Sequence, residues 1–141
     1  MVGVTAFSAV GNLPISTVTG DPVARVAGHA SLAETARAMV ADNVGAMIVG
    51  DDDTPGALIS ERDIVRAVAS GMDLNTVRAV DVASTKLVWC DADATIDEVA
   101  TQMMDRYIRH VLVERDGVLA GIVSARDVLG VYCSEAELDF S

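Results

Sequence analysis

The side chains best placed for chemistry sit in two short phrases, Ser60-Glu61-Arg62-Asp63 within ALISERDIVR and Ser124-Ala125-Arg126-Asp127 within GIVSARDVLG. In each, an apolar run that reads as a strand ends in a hydroxyl and turns directly into a run that reads as a helix. A helix start presents backbone N–H groups to an anion. An Arg in the first turn suits phosphate, and a carboxylate can accept both hydroxyls of a ribose diol. These are the parts of a nucleotide site. The same Ser-x-x-Asp spacing is also a helix capping signature, in which hydroxyl and acid satisfy each other's backbone amides. Ser31-x-x-Glu34 and Thr95-x-x-Glu98 use that device at two further helix starts, so capping alone marks no function. What sets the two phrases apart is the strand, the corner and the Arg-Asp pair together.

The elements that must position them come from an internal repeat. A constant shift of 64 residues superposes the two halves without a gap, placing Ser31 on Thr95, Leu32 on Ile96, Met39 on Met103 and Val49 on Val113. The same shift carries Ser60, Arg62 and Asp63 onto Ser124, Arg126 and Asp127. Each repeat reads as β-α-β-β-α. VARV and LVWC are brief strands. The helices 32–43 and 96–106 carry apolar residues at three-to-four spacing, Leu32, Ala36, Met39 and Val40, then Ile96, Val99, Met103 and Met104. Paired strands follow, AMIVG with GALIS and HVLVE with VLAGIVS, and helices from Glu61 to near Ser70 and from Ala125 to near Tyr132 close the repeats. The expected fold class is α/β (α+β), a pseudo-twofold pair of repeats packed sheet to sheet. Its expected parts are an N-terminal extension 1–14, repeat 1 at 15–70, a linker and start of repeat 2 at 71–84, repeat 2 at 85–132, and an acidic, frayed tail 133–141.

Composition narrows the function. The chain has 141 residues, 51% of them hydrophobic, which suits one domain or two half-size units sharing a core, since a lone unit of about 60 residues is marginal. No apolar run approaches the roughly 20 residues of a membrane span, and no leader-like opening suggests export; a cytoplasmic protein is expected. A formal charge of −11 argues against a duplex nucleic acid partner, which is held by clustered Lys and Arg. An anionic ligand would need a local basic pocket. Cys90 and Cys133 have no partners at metal-ligand spacing and read as reduced thiols, one of them buried. No nucleophile-base pair, metal cluster or phosphate loop is present, and His29 sits in a turn without a partner. No catalytic cofactor and no enzyme activity are expected. Nine Arg against one Lys, with abundant Ala, hints at a GC-rich bacterial genome.

The tandem spacing, together with GIVSARDV and ALISERDI, resembles a pair of cystathionine-β-synthase (CBS) domains, from about Ile15 to Tyr132. The resemblance implies a non-catalytic regulatory module that binds AMP, ADP or ATP, and in some members S-adenosylmethionine or a metal ion, in two clefts between the repeats. It implies a flat homodimer, and free-standing members resemble stress-responsive bacterial proteins. Carried over, Asp127 takes ribose, Ser124 and Arg126 phosphate, and Ile122 adenine, with Thr17 a polar contact and Val44 and Gly45 lining the base. The twin cleft uses Leu58, Ser60, Arg62 and Asp63. Arg109 and His110 match a position whose basic residues reach the phosphates, although they equally suit salt bridges with nearby acids. Trp89, the twin of Arg25, reads as core or dimer surface. The first cleft departs from the pattern, Ala57 standing where the second has Gly121, and Asp81 is the twin of Thr17. Both differences predict a stronger Asp127 cleft. The alternative function is a ligand-free scaffold dimer with vestigial clefts; the sequence names no regulated protein partner.

Overall fold

A computed structural model describes the backbone of residues 10–19 and 23–140 and the side chains of residues 10–19 and 23–134. The elements are β1 (Arg25–Val26), α1 (Leu32–Asp42), β2 (Ala46–Val49), β3 (Leu58–Ser60), α2 (Glu61–Ala69), α3 (Ala79–Val82), β4 (Trp89–Asp91), α4 (Ile96–Arg106), β5 (His110–Arg115), β6 (Val118–Ser124) and α5 (Ala125–Phe140), with a 3-10 turn at Ile15–Thr17. They form two sheets, β1-β2-β3 and β4-β5-β6, each with one parallel and one antiparallel pairing. The 64-residue shift holds in the ladders. Arg25 pairs with Ile48 as Trp89 does with Leu112, and Ala46 with Ser60 as His110 does with Ser124.

The chain divides into a contiguous unit, Pro22–Leu87, and a composite unit that joins Val88–Ser141 to the chain before Pro22. Backbone hydrogen bonds explain the division. Ile15 N donates to Ala94 O at 2.7 Å, Ser16 N to Ala92 O at 3.3 Å, and Ile96 N to Leu13 O at 3.0 Å. Shifted by 64, the same bonds recur as Ala79 N to Ala30 O at 2.8 Å, Val80 N to Gly28 O at 3.1 Å, and Leu32 N to Val77 O at 2.9 Å. The segment leading each repeat is thus an arm docked on the body of the other repeat. Residues 10–19 serve the second body, and the stretch read as a linker serves the first.

Each unit has its own core. In the composite unit Ile15 of the arm is fully buried among Ile96, Val99, Met103, Val111, Val123 and Val128, a burial that contributes about 2–3 kcal/mol. In the contiguous unit Ala79 takes the place of Ile15 and packs with Leu32, Met39, Met47, Ile59 and Ile64. The helices end alike, on left-handed residues, Asn43 after α1 and Tyr107 after α4. In this conformation a following amide can close on a late helical carbonyl, as Ile108 N does on Met103 O at 3.1 Å.

Three expectations change. Val40 and Met104, read as parts of the apolar helix faces, are 82% and 76% exposed; they lie beyond the edge of the stripe that Met39 and Met103 define. The strand VARV narrows to β1, and LVWC shifts to β4, which takes in Asp91, although Ala24 O and Val88 O still accept from Ile48 N at 3.0 Å and Leu112 N at 2.9 Å. The tail, expected as a separate segment, continues the last helix: α5 runs on to Phe140, and Glu, Ala and Leu in this stretch favour helix whatever its charge.

Candidate functional site

Both Ser-x-x-Asp phrases form strand-to-helix corners. Ser60 ends β3 in extended conformation and caps α2. Its amide donates to Asp63 Oδ2 at 2.8 Å, its hydroxyl donates to the same oxygen at 3.1 Å, and Asp63 N donates to Ser60 Oγ at 3.3 Å. At the other corner Ser124 N donates to Asp127 Oδ2 at 3.0 Å and Asp127 N to Ser124 Oγ at 3.0 Å. The capping role is therefore real in both. It also consumes part of the anion-binding potential read from the sequence. Glu61 N donates to Gly45 O at 2.9 Å and Ala125 N to Arg109 O at 2.8 Å, so among the first-turn amides only those of Arg62 and Arg126 are left for a ligand.

The second carboxylate oxygen differs between the corners. Asp63 Oδ1 lies 4.0 Å from Arg66 Nη1. Asp127 has no such partner among the described residues, because Gly130 stands where Arg66 does in the first repeat, and a Cβ at Gly130 would meet no neighbour within 4 Å. That open space belongs to a groove of about 850 Å³ in the composite unit, lined by Val10, Val18, Arg126, Asp127, Gly130, Val131 and Ser134. Beside Arg126, the lining from α5 is one helical stripe, Asp127, Gly130, Val131 and Ser134, at offsets of three, four and seven. Reading that stripe onward from Asp127 would have found Gly130, Val131 and Ser134; Val10 and Val18 carry no sequence signal, since the arm's destination is not written locally.

The composite unit holds Thr17, Arg109, His110, Ile122, Ser124, Arg126 and Asp127, and the contiguous unit holds Val44, Gly45, Leu58, Ser60, Arg62 and Asp63. Arg126 and Asp127 line the groove. Thr17, beside Val18, turns its hydroxyl back onto Pro14 O at 2.8 Å, which leaves its oxygen as an acceptor. Ile122 is half-buried in β6, and His110 pairs with Ser124 across the sheet. Arg109 and His110 therefore enter beside the Asp127 corner through their backbone. Gly45 caps the Asp63 corner in the same way, while Val44 packs on the core of its unit. Leu58 is buried and exchanges hydrogen bonds with Ser84 at 3.0 and 2.8 Å. Arg62 is exposed.

Both reasons given for a weaker first cleft need correction. Asp81 is not a bare negative charge: Arg78 pairs with it at 3.3 Å and donates its backbone N–H at 3.1 Å, which holds the carboxyl below its ordinary pKa. Gly121 is not a gap kept for a ligand. A Cβ there would lie 2.8 Å from Thr19 Cβ, and the twin of Thr19 is the smaller Ala83, beside which Ala57 fits. Elsewhere in the composite unit the Tyr132 hydroxyl donates to Asp97. Burial and that bond push the phenol up to about 12. Cys90 is half-buried and Cys133 exposed. Burial, then Asp91 and Glu114, raise the Cys90 thiol to about 11. Among the described residues no three His, Cys, Asp or Glu side chains cluster for a metal, and no helix is long and apolar enough to cross a membrane.

Residues 15–70 and 78–134 each match the CBS domain family. The chain is a member of the CBS domain family. It is 35% identical over 105 residues to Hypoxic response protein 1 of Mycobacterium tuberculosis, spanning 73% of each chain. A solved CBS domain protein from Pyrobaculum aerophilum, complexed with AMP, superposes with a TM-score of 0.76 at 27% identity, over 89% of this chain and 99% of that one. A structure of Hypoxic Response Protein I with two coordinated zinc ions matches with a TM-score of 0.68 at 31% identity, over 83% and 97%. CBS domains bind adenosine ligands, and stand-alone CBS pairs of this kind are regulatory rather than catalytic. In this CBS pair both corners carry a hydroxyl, an Arg and a carboxylate, and among the described residues the carboxylate of the Asp127 corner has no ion-pair partner.

Proposed function

We propose that this CBS pair senses an adenosine nucleotide, AMP, ADP or ATP, and transmits its level as a cytoplasmic regulatory homodimer. The observation that carries the reading is Asp127, whose Oδ2 is engaged in the helix cap, whose Oδ1 has no ion-pair partner among the described residues, and which lines a groove together with Arg126. A ribose diol can donate to that oxygen, and the guanidinium and the Arg126 amide suit the phosphate. The likeness to a protein solved with AMP supports the ligand class, and the likeness to Hypoxic response protein 1 supports a role under stress. Dimerisation is supported by apolar residues exposed at equivalent positions of the repeats, Val40 with Met104 and Val65 with Leu129. A second reading, a scaffold dimer without ligand, is favoured by one fact: both capping boxes are complete without one.

Calorimetric titration with AMP, ADP and ATP separates the two. Asp127→Ala removes a charged acceptor worth about 1.5–3 kcal/mol, so affinity should fall by roughly ten- to a hundredfold. Equal affinity in the variant would leave Asp127 a helix cap only, and no binding by the wild type would favour the scaffold.

A further inference from the structure

The corners share Ser, Arg and Asp but differ one helical turn later, at Arg66 in the contiguous unit and Gly130 in the composite unit. On a helix, residues three apart stand on the same face, so this position lies beside the carboxylate that a ribose would seek. Arg66 Nη1 is 4.0 Å from Asp63 Oδ1, the oxygen the cap does not use. Gly130 places nothing there, and the space it leaves is part of the groove. Building on the nucleotide reading above, we infer that the residue three positions after the Asp decides which corner accepts a ribose diol: Arg66 acts as a built-in occupant of Asp63, and Gly130 keeps Asp127 free. The contiguous unit's corner is an intact diol site held shut by its own guanidinium, neither vestigial nor repelled by Asp81.

Two features make the inference physical. The Asp63 side chain is only 14% exposed against 71% for that of Arg66, so the guanidinium beside it takes up part of the little access the carboxylate has. An exposed pair of this length is worth about 0.2–1 kcal/mol, which as competition alone corresponds to a factor of about 1.4 to 5 in affinity. The volume of the Arg side chain adds to that.

The test titrates AMP, and 2′,3′-dideoxy-AMP as a diol-free control, into the full chain. In an Asp127→Ala background, which silences the open corner, adding Arg66→Ala should raise AMP affinity by up to about fivefold through lost competition, and further through lost side-chain volume, and create a preference for AMP over the dideoxy form, a readout that a structural role for Arg66 would not move. The reverse change, Gly130→Arg in the wild type, should weaken AMP binding and erase the same preference without lowering the melting temperature of the free protein, since a Cβ at that position would meet no neighbour within 4 Å. If the wild type binds AMP but Asp127→Ala/Arg66→Ala binds no better than Asp127→Ala, the inference alone is overturned. The same holds if Asp127→Ala retains a strong site that Asp63→Ala removes. If the wild type and every variant fail to bind, the inference and the nucleotide reading fall together. Binding by Asp127→Ala/Arg66→Ala with none by the wild type would overturn the inference for the Asp127 corner, which would then be closed despite Gly130.

Discussion

Gly121→Ala offers a quantitative test of arm docking. Gly121 is buried in β6, and its backbone is not in the left-handed region, so alanine brings no dihedral strain. The cost is steric. The new Cβ would lie 2.8 Å from Thr19 Cβ and 3.2 Å from both Cγ2 and Oγ1, against an ordinary carbon separation of about 3.5–4.0 Å. Relief requires the arm to withdraw by several tenths of an ångström, and the arm is anchored close by through Thr19 Oγ1 to Ser16 O at 3.1 Å and Ile15 in the core. Overpacking of this kind costs about 1–3 kcal/mol. Thr19→Gly removes every atom in conflict, at about 0.5–1 kcal/mol in backbone freedom and one hydrogen bond of about 1 kcal/mol. Urea unfolding of the wild type, both single variants and the double variant closes a cycle. The expected result is a favourable coupling of about 1–2 kcal/mol, the double variant being more stable than the sum of the singles predicts. Strict additivity, or a Gly121→Ala chain as stable as the wild type, would refute the docking of residues 10–19 on this strand.

The alkaline limb of stability should be steep. The folded chain holds the Cys90 and Tyr132 protons more tightly than the unfolded chain, with pKa values of about 11 and 12 against ordinary values of 9.0 and 10.0; their contribution is complete below about pH 9 and is lost as pH rises through the two raised values. Melting temperatures across that window should fall more gently in Tyr132→Phe, and a thiol reagent at pH 8 should label exposed Cys133 well before Cys90; equal labelling rates would show Cys90 to be open. Tyr107 adopts φ 54° at the end of α4 and is 91% exposed, a conformation that suits Asn better than an aromatic residue. Tyr107→Asn, the residue of its twin Asn43, should raise stability by about 0.5–1 kcal/mol in chemical denaturation, and a loss would mean that the ring is held by a partner. Light scattering should report a dimer for the wild type and a monomer for Val65→Asp/Leu129→Asp; an unchanged mass would place the interface elsewhere.

The repeat was legible because its signals are local. Turn chemistry, capping spacings and helical periodicity are each written within a few residues, and the 64-residue shift transfers every reading from one half to the other. The Ser-x-x-Asp corners were legible for the same reason. The arms were not. Docking of Ile15 on Ala94 and of Ala79 on Ala30 runs through backbone amides, which carry no side-chain signature, and joins segments distant in the chain. From that blindness came the misreadings of Gly121 and Asp81, both of which answer to an arm residue rather than to a ligand. Val40 and Met104 misled differently: an apolar residue at helical spacing reads as core unless the width of the buried stripe is known.

The reciprocal arms separate the unit of inheritance from the unit of folding. A duplication adds 64 residues at a time, but those residues do not include the arm that completes their own body; it arrives from the neighbouring copy. A lone ancestral repeat would have had to borrow its arm from a second molecule, with each chain lending what it received. In the tandem chain that loan is covalent, and the two copies differ beside the carboxylate, one carrying glycine and the other arginine.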